Sequence, residues 1–159
     1  MPAEPRVAIA RGSVDDLALL EQFRARFWHE QVAMGLIDGP ECIDTFVKQG
    51  TLGQLDRPRT VFLGAKVDGQ LAGYVIGQVK RIPGTTPAVV ASIEEIFVGT
   101  PYRRSQVASA LVHSIVGELR GDTNCRMQLR VLSANPGGSA FWAAHGFEPN
   151  LTTYELRRT

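Results

Sequence analysis

Several large classes of protein are closed off by what this sequence lacks. It has only two cysteines, Cys42 and Cys125, in no C-x-x-C pattern. That argues against a disulfide scaffold and predicts two buried, reduced thiols in a cytoplasmic protein. Charge of one sign is missing too: 17 Lys+Arg against 16 Asp+Glu leave +1, too little for bulk attraction to nucleic acid or a membrane surface. No run reaches the roughly 18 apolar residues of a membrane span, and "MPAEPRVAIARG" is too short in apolar residues for a secretory signal. There is no G-x-G-x-x-G, no G-x-x-x-x-G-K-[ST] and no G-x-S-x-G, so neither of the familiar glycine phosphate loops nor a serine-hydrolase elbow is written here. His29, His113 and His145 have no metal-ligand spacing, and no metal is expected. What is present, 44% hydrophobic and 21% charged residues over 159, suits one soluble domain spanning the whole chain.

Hydrophobic period and punctuation give the elements. "RVAIA" (6–10) reads as a first strand. Ser13 then precedes a helix whose Leu17, Leu20, Phe23 and Phe27 recur at three and four residues, with Asp15 and Asp16 suiting its N-terminus. Gly39-Pro40 punctuates, and "ECIDTFVKQG" (41–50) reads as a shorter helix ending at Gly50. Residues 60–80 form a hairpin turning at Asp68-Gly69. A loop (81–87), a strand (88–98), a helix (105–119), a strand (126–132), a helix (135–147) and a last strand (151–158) follow. The expected fold is therefore α/β of the α+β type. Its mixed sheet is largely antiparallel, with strands 88–98 and 126–132 as parallel neighbours and helices on both faces.

The corner "VGTPYRRSQVASALV" (98–112) joins a strand to a helix through two adjacent arginines, with no glycine between Gly99 and Gly117. A helix start has N–H groups without partners and a positive end of the dipole, which together suit an anion. Ser105, Gln106, Val107 and Ala108 would offer their N–H groups, and Arg103 and Arg104 would add charge.

At these residues the chain resembles the GNAT superfamily of acyl-CoA N-acyltransferases. "IEEIFVGTPYRRSQVASALV" is similar to the family's acyl-CoA motif: an apolar-aromatic-Val triplet (Ile96-Phe97-Val98), a Pro-aromatic-Arg turn, and a phosphate loop running from Arg103 to Ala108 and on to Ser109. "NPGGSAFWAAHGF" resembles a second block through Asn135, Phe141-Trp142 and Gly146-Phe147. The resemblance implies acetyl-CoA as co-substrate and an amine as acceptor. It implies cofactor contacts at Ile96, Phe97, Val98, the 103–109 loop, Asn135, Ser139 and Trp142. A homodimer is compatible with it.

Three positions depart from the family pattern. Gln106 and Arg104 stand where glycines are common, and Trp142 where the family often has a tyrosine that protonates the leaving thiolate. Gln106 is expected to be right-handed, inside the first helical turn, because a left-handed backbone would cost about 1–2 kcal/mol. The departures leave a second reading open, a module that binds acyl-CoA without transferring the acyl group.

An alkylamine has a pKa near 10.4 and must lose a proton before it attacks. Glu94 and Glu95 are the candidates, Glu94 first as base or water-mediated proton acceptor, Glu95 second or as a contact for a cationic acceptor. Strand alternation would send them to opposite faces, Glu94 with Ile96 and Val98, Glu95 with Phe97. The resemblance assigns the oxyanion to the main-chain N–H of Val98.

Overall fold

Asp68 and Gly69 both take positive φ, 50° and 84°, the geometry that lets a two-residue turn match the twist of its strands. In the computed structural model, which describes residues 6–36, 43–121 and 124–156, this turn joins β2 (Thr60–Val67) to β3 (Gln70–Arg81). With β1 (Val7–Arg11), β4 (Val89–Val98) and β5 (Arg126–Leu129) they build a five-stranded sheet in the order β1-β2-β3-β4-β5. Every neighbouring pair is antiparallel except β4 and β5, which run parallel. The mixed sheet and its parallel pair are those read from the sequence.

Helices cover both faces. On one side, α3 (Val107–Arg120) lays Leu111, Ile115 and Leu119 against Val75, Ala91 and Ile93, and α4 (Pro136–Ala144) adds Trp142. On the other, α1 (Leu17–Ala33) packs Leu20 and Phe23 on Tyr74, Ile76 and Phe97. The second helix, α2 (Ile43–Leu55), lies beyond α1 and buries Ile43, Val47 and Thr51. Among the described residues no helix is long and apolar enough to cross a membrane.

Four local expectations are corrected. Helix α2 does not end at Gly50 but runs through it to Leu55. The four-residue spacing of its buried positions continues past the glycine, and tertiary contact at Thr51 overrides its poor propensity. β5 stops at Leu129, not at residue 132, because β4 diverges from it there. Residues 151–156 form no strand and are exposed, so strand-forming composition without apolar burial does not make a strand here. Cys125 is a free, half-buried thiol, not a buried one. Gly39-Pro40, Cys42 and the end of the last expected strand lie outside the described residues.

Candidate active site

β4 and β5 pair only from Val90↔Arg126 to Ile93↔Leu129. Beyond Ile93, β4 runs on to Val98 with that edge open. The two strands splay and leave a cleft of about 170 Å³. Phe27 and Gln31 of α1 wall it on one side, Asn135, Phe141 and Trp142 around α4 on the other.

A bulge shapes the β4 wall. Ile76 pairs with Glu95, but the next residue, Gly77, pairs with Ile93, so Glu94 has no partner on β3. An extra residue in one strand shifts the alternation of everything after it. Ile93 and Val98, five residues apart, both belong to the α3 face. Glu95 and Phe97 face α1. Glu94 turns to that face as well: it accepts from Ser92 Oγ and lines a small polar recess with Gln54, Arg57 and Gln78. The two carboxylates are therefore not on opposite faces, and Glu94 does not share one with Ile96 and Val98.

Their surroundings separate them. Glu95 is only 4% exposed. Arg24 grips it with two prongs, Nε to Oε2 at 2.9 Å and Nη2 to Oε1 at 2.7 Å, and Tyr74 Oη donates to Oε2 at 2.9 Å. Arg24 also donates to Thr51 Oγ1 (2.7 Å) and Gln54 Oε1 (2.5 Å), so one side chain ties α1, α2 and β4 together. Burial, with Glu95 adding to it, lifts the Tyr74 phenol well above its ordinary value near 10, so it stays a neutral donor. Burial lowers the Arg24 value, but the Glu95 carboxylate outweighs that and the net shift is upward. Both Glu95 oxygens are thus already hydrogen-bonded. Glu94 is exposed at the junction of the cleft and the polar recess.

Backbone direction explains the far end of β4. Gly99 donates its N–H to Ala72 O at 2.8 Å, toward β3. Backbone polar groups alternate sides along a strand, so the N–H and C=O of Val98 point into the open gap. The carbonyl there accepts Arg103 Nε at 2.9 Å. Gly73 opposite Val98 is required by this approach: a Cβ would sit 2.7 Å from Phe97 O.

The loop differs from expectation. Gln106 is left-handed (φ 62°), and so is Arg104 (φ 63°). Left-handed residues interleaved in a turn curl successive N–H groups to one side, which makes an anion nest. Helix α3 begins only at Val107, and Ala110 makes the first bond back to Gln106 O at 3.0 Å. The N–H groups of Val107, Ala108 and Ser109 therefore have no acceptor within the helix. Ser105 is not their cap, since its hydroxyl donates back to Tyr102 O. Replacing the strained Gln106 by glycine is expected to raise stability by roughly 0.5–1 kcal/mol, the relief of strain less the added freedom of the unfolded chain. Gln106→Val should lower it, and thermal unfolding of the two variants checks both signs.

The arginines have different jobs. Arg103 is engaged: besides Val98 O it donates to Glu30 Oε1 at 2.8 Å and lies 5.2 Å over the Phe97 ring, whose centroid is also 5.4 Å from Arg26. Phe97 therefore sits in the α1-side core, not on the cleft wall. Arg104 is exposed and has no salt bridge among the described residues.

Asn135 caps α4, accepting from Gly138 N–H at 2.9 Å, and lines the cleft. Ser139 is exposed, and Trp142 is buried edge-on to Phe141 and Phe147. His145 fastens α4 to α3: Nδ1 lies 2.8 Å from Phe141 O and Nε2 3.1 Å from Ser109 Oγ. The sequence reading missed the Arg24 cluster and this strut. Arg24 did leave a signal, a charge four residues after Leu20 and three before Phe27, on the apolar stripe of α1.

The profile of the acetyltransferase (GNAT) family matches residues 19–147. Among solved structures, a mutant BH1408 protein from Bacillus halodurans superposes with a TM-score of 0.82 at 14% identity, covering 96% of this chain and 99% of its own. An aminoglycoside N-acetyltransferase, AAC(6')-Iy in complex with CoA, gives 0.78 at 18% identity over 99% and 98%. The PaiA N-acetyltransferase from Thermoplasma acidophilum, in complex with coenzyme A, gives 0.73 at 20% identity over 93% of each. No curated protein sequence is close enough to count as a relative.

Proposed function

The chain belongs to the GNAT family of acetyltransferases, and from that premise we propose that it transfers the acetyl group of acetyl-CoA to a primary amine of a small molecule or a protein. One observation carries the reading: the splayed gap between β4 and β5, with Glu94 at its side, the Val98 N–H pointing in and the α3 N-terminus at its end. The pyrophosphate lies on the Arg104–Ser109 loop. The pantetheine arm runs into the gap, where Ile96 and Trp142 pack on it and Asn135 donates its free amide N–H. This puts the thioester carbonyl beside Val98.

The amine reaches the gap from the α1–α2 side. Glu94, directly or through one water, takes the proton of the ammonium. The amine nitrogen bonds to the carbonyl carbon, and the Val98 N–H holds the oxyanion. The adduct nitrogen gives up its second proton to water, the C–S bond breaks, and CoA leaves as a thiolate. With a conjugate acid near 8.5 it departs without a dedicated acid, so Trp142 in place of a phenol does not stop the reaction. Glu95 keeps β4 aligned through Arg24 and does not itself take the proton. Binding without transfer is the second reading, and it rests on Trp142 alone.

Calorimetry with acetyl-CoA tests the cofactor half. Arg104→Ala is expected to weaken binding about tenfold, the loss of one charge-assisted contact, and to flatten its salt dependence. Equal affinity and equal salt slope in Arg104→Ala would remove the phosphate role of the loop.

A further inference from the structure

Two arginines flank Glu94. Arg130 lines the cleft with it, and Arg57 lines the polar recess on its other side. Both are exposed, and among the described residues neither guanidinium has an ion pair. The other acid of the cleft, Glu95, is already held by Arg24. The open charges around the gap are therefore one carboxylate and two guanidiniums.

Strand alternation brings Arg130 to the side from which the amine enters. Met127, Leu129 and Val131 pack on the α3-side core. Gln128 and Arg130, between them, turn to the opposite face, the one that α1 covers over Phe97. Glu94 and Arg130 each follow the last paired rung, Ile93↔Leu129, by one residue. They stand on facing walls where the strands part, yet no ion pair joins them, and Glu94 accepts from Ser92 instead. Opposite charges that share a gap without closing on each other suit a guest that carries both. The same face stays basic farther out. Residues opposite one another in a sheet share a face, and the row Lys80↔Val90↔Arg126 adds two exposed cations there. A purely cationic acceptor approaches against this charge, whereas an anionic group is drawn in.

We propose that the acceptor is an amine that also carries an anionic group, a carboxylate or a phosphate, and that Arg130 binds that group while Glu94 meets the ammonium. The planar fork of a guanidinium matches paired oxygens of either anion. Arg57 is not the anion site. Its recess, about 20 Å³, has room for one water, against about 170 Å³ in the cleft. The inference rests on the acetyl-transfer reading for the place of the amine, but anion binding is measured without turnover.

Calorimetry on the chain saturated with free CoA, which has no acetyl group to transfer, tests it. The probes are glycine, β-alanine and γ-aminobutyrate, each against its own carboxamide, and phosphoethanolamine against ethanolamine. In at least one pair the anionic member is expected to bind about tenfold more tightly, the gain of one charge-assisted contact. Arg130→Gln should abolish that preference without changing CoA affinity, and Arg57→Gln should keep it. Arg130 is exposed and unpaired, so its variant is expected to fold as wild type does, which circular dichroism checks. In the transfer assay Arg130→Gln should raise KM for the anionic acceptor and leave kcat near wild type. No preference in any pair, or a preference that survives Arg130→Gln, would overturn the proposal. An Arg130-dependent preference without acetyl transfer would uphold it and overturn only the transferase reading.

Discussion

Replacing Arg24 by alanine is expected to lower stability by about 3–5 kcal/mol, because it strands a buried carboxylate without its counter-ion. Glu95 would keep only the Tyr74 hydroxyl, and Thr51 Oγ1 and Gln54 Oε1 would lose their donor. Against a total stability of roughly 5–15 kcal/mol for a domain, the loss should appear as a fall in melting temperature on the order of 10 °C. The effect comes from the orphaned charge, not from the strength of the pair. Removing both charges with apolar residues of similar volume, Arg24→Met with Glu95→Leu, is therefore expected to recover most of it. Thermal unfolding of the single and double variants distinguishes the cases. A fall under about 1 kcal/mol in Arg24→Ala would mean that solvent reaches Glu95, and that the division of labour between the carboxylates is wrong.

Glu94→Gln is the counterpart, with the large effect in rate and little in stability. The side chain is exposed and accepts a hydrogen bond from Ser92 Oγ, which an amide oxygen also accepts. The fold and acetyl-CoA affinity should stay near wild type. Loss of a positioned base lowers kcat by roughly 10²–10⁴. The deficit should shrink as pH rises toward the amine's own pKa near 10.4, where free amine no longer needs a base. Glu95→Gln, by contrast, should lower stability, and its rate loss should not shrink with pH.

Much of this was legible in the sequence, and the parts that were not share a cause. Local signals carried the Asp68-Gly69 turn and the basic corner after Val98, because each is set by neighbours in the chain, and the parallel β4–β5 pair followed from the helix that connects the two strands. The bulge at Glu94 was not legible. No glycine or proline marks it; it comes from how β4 registers on β3, some twenty residues away in sequence. The left-handed Gln106 and Arg104 were hidden because neither residue type favours that backbone, and only the packed corner holds them there. Arg24 found Glu95 across 71 positions, a partnership visible beforehand only as a misplaced charge on an apolar stripe. The tail at 151–156 has the composition of a strand, but Leu151, Tyr154 and Leu156 bury nothing, and composition without packing does not make a strand.

The central claim is amine acetylation at the β4–β5 cleft with Glu94 as proton acceptor. The most direct measurement is thiol release from acetyl-CoA across a panel of primary amines, run in parallel on wild type and Glu94→Gln at matched acetyl-CoA saturation. Amine-dependent release by wild type, cut at least a hundredfold in Glu94→Gln near neutral pH, is the result expected. Acetyl-CoA binding with no amine-dependent release, or equal release by the two proteins, would contradict it.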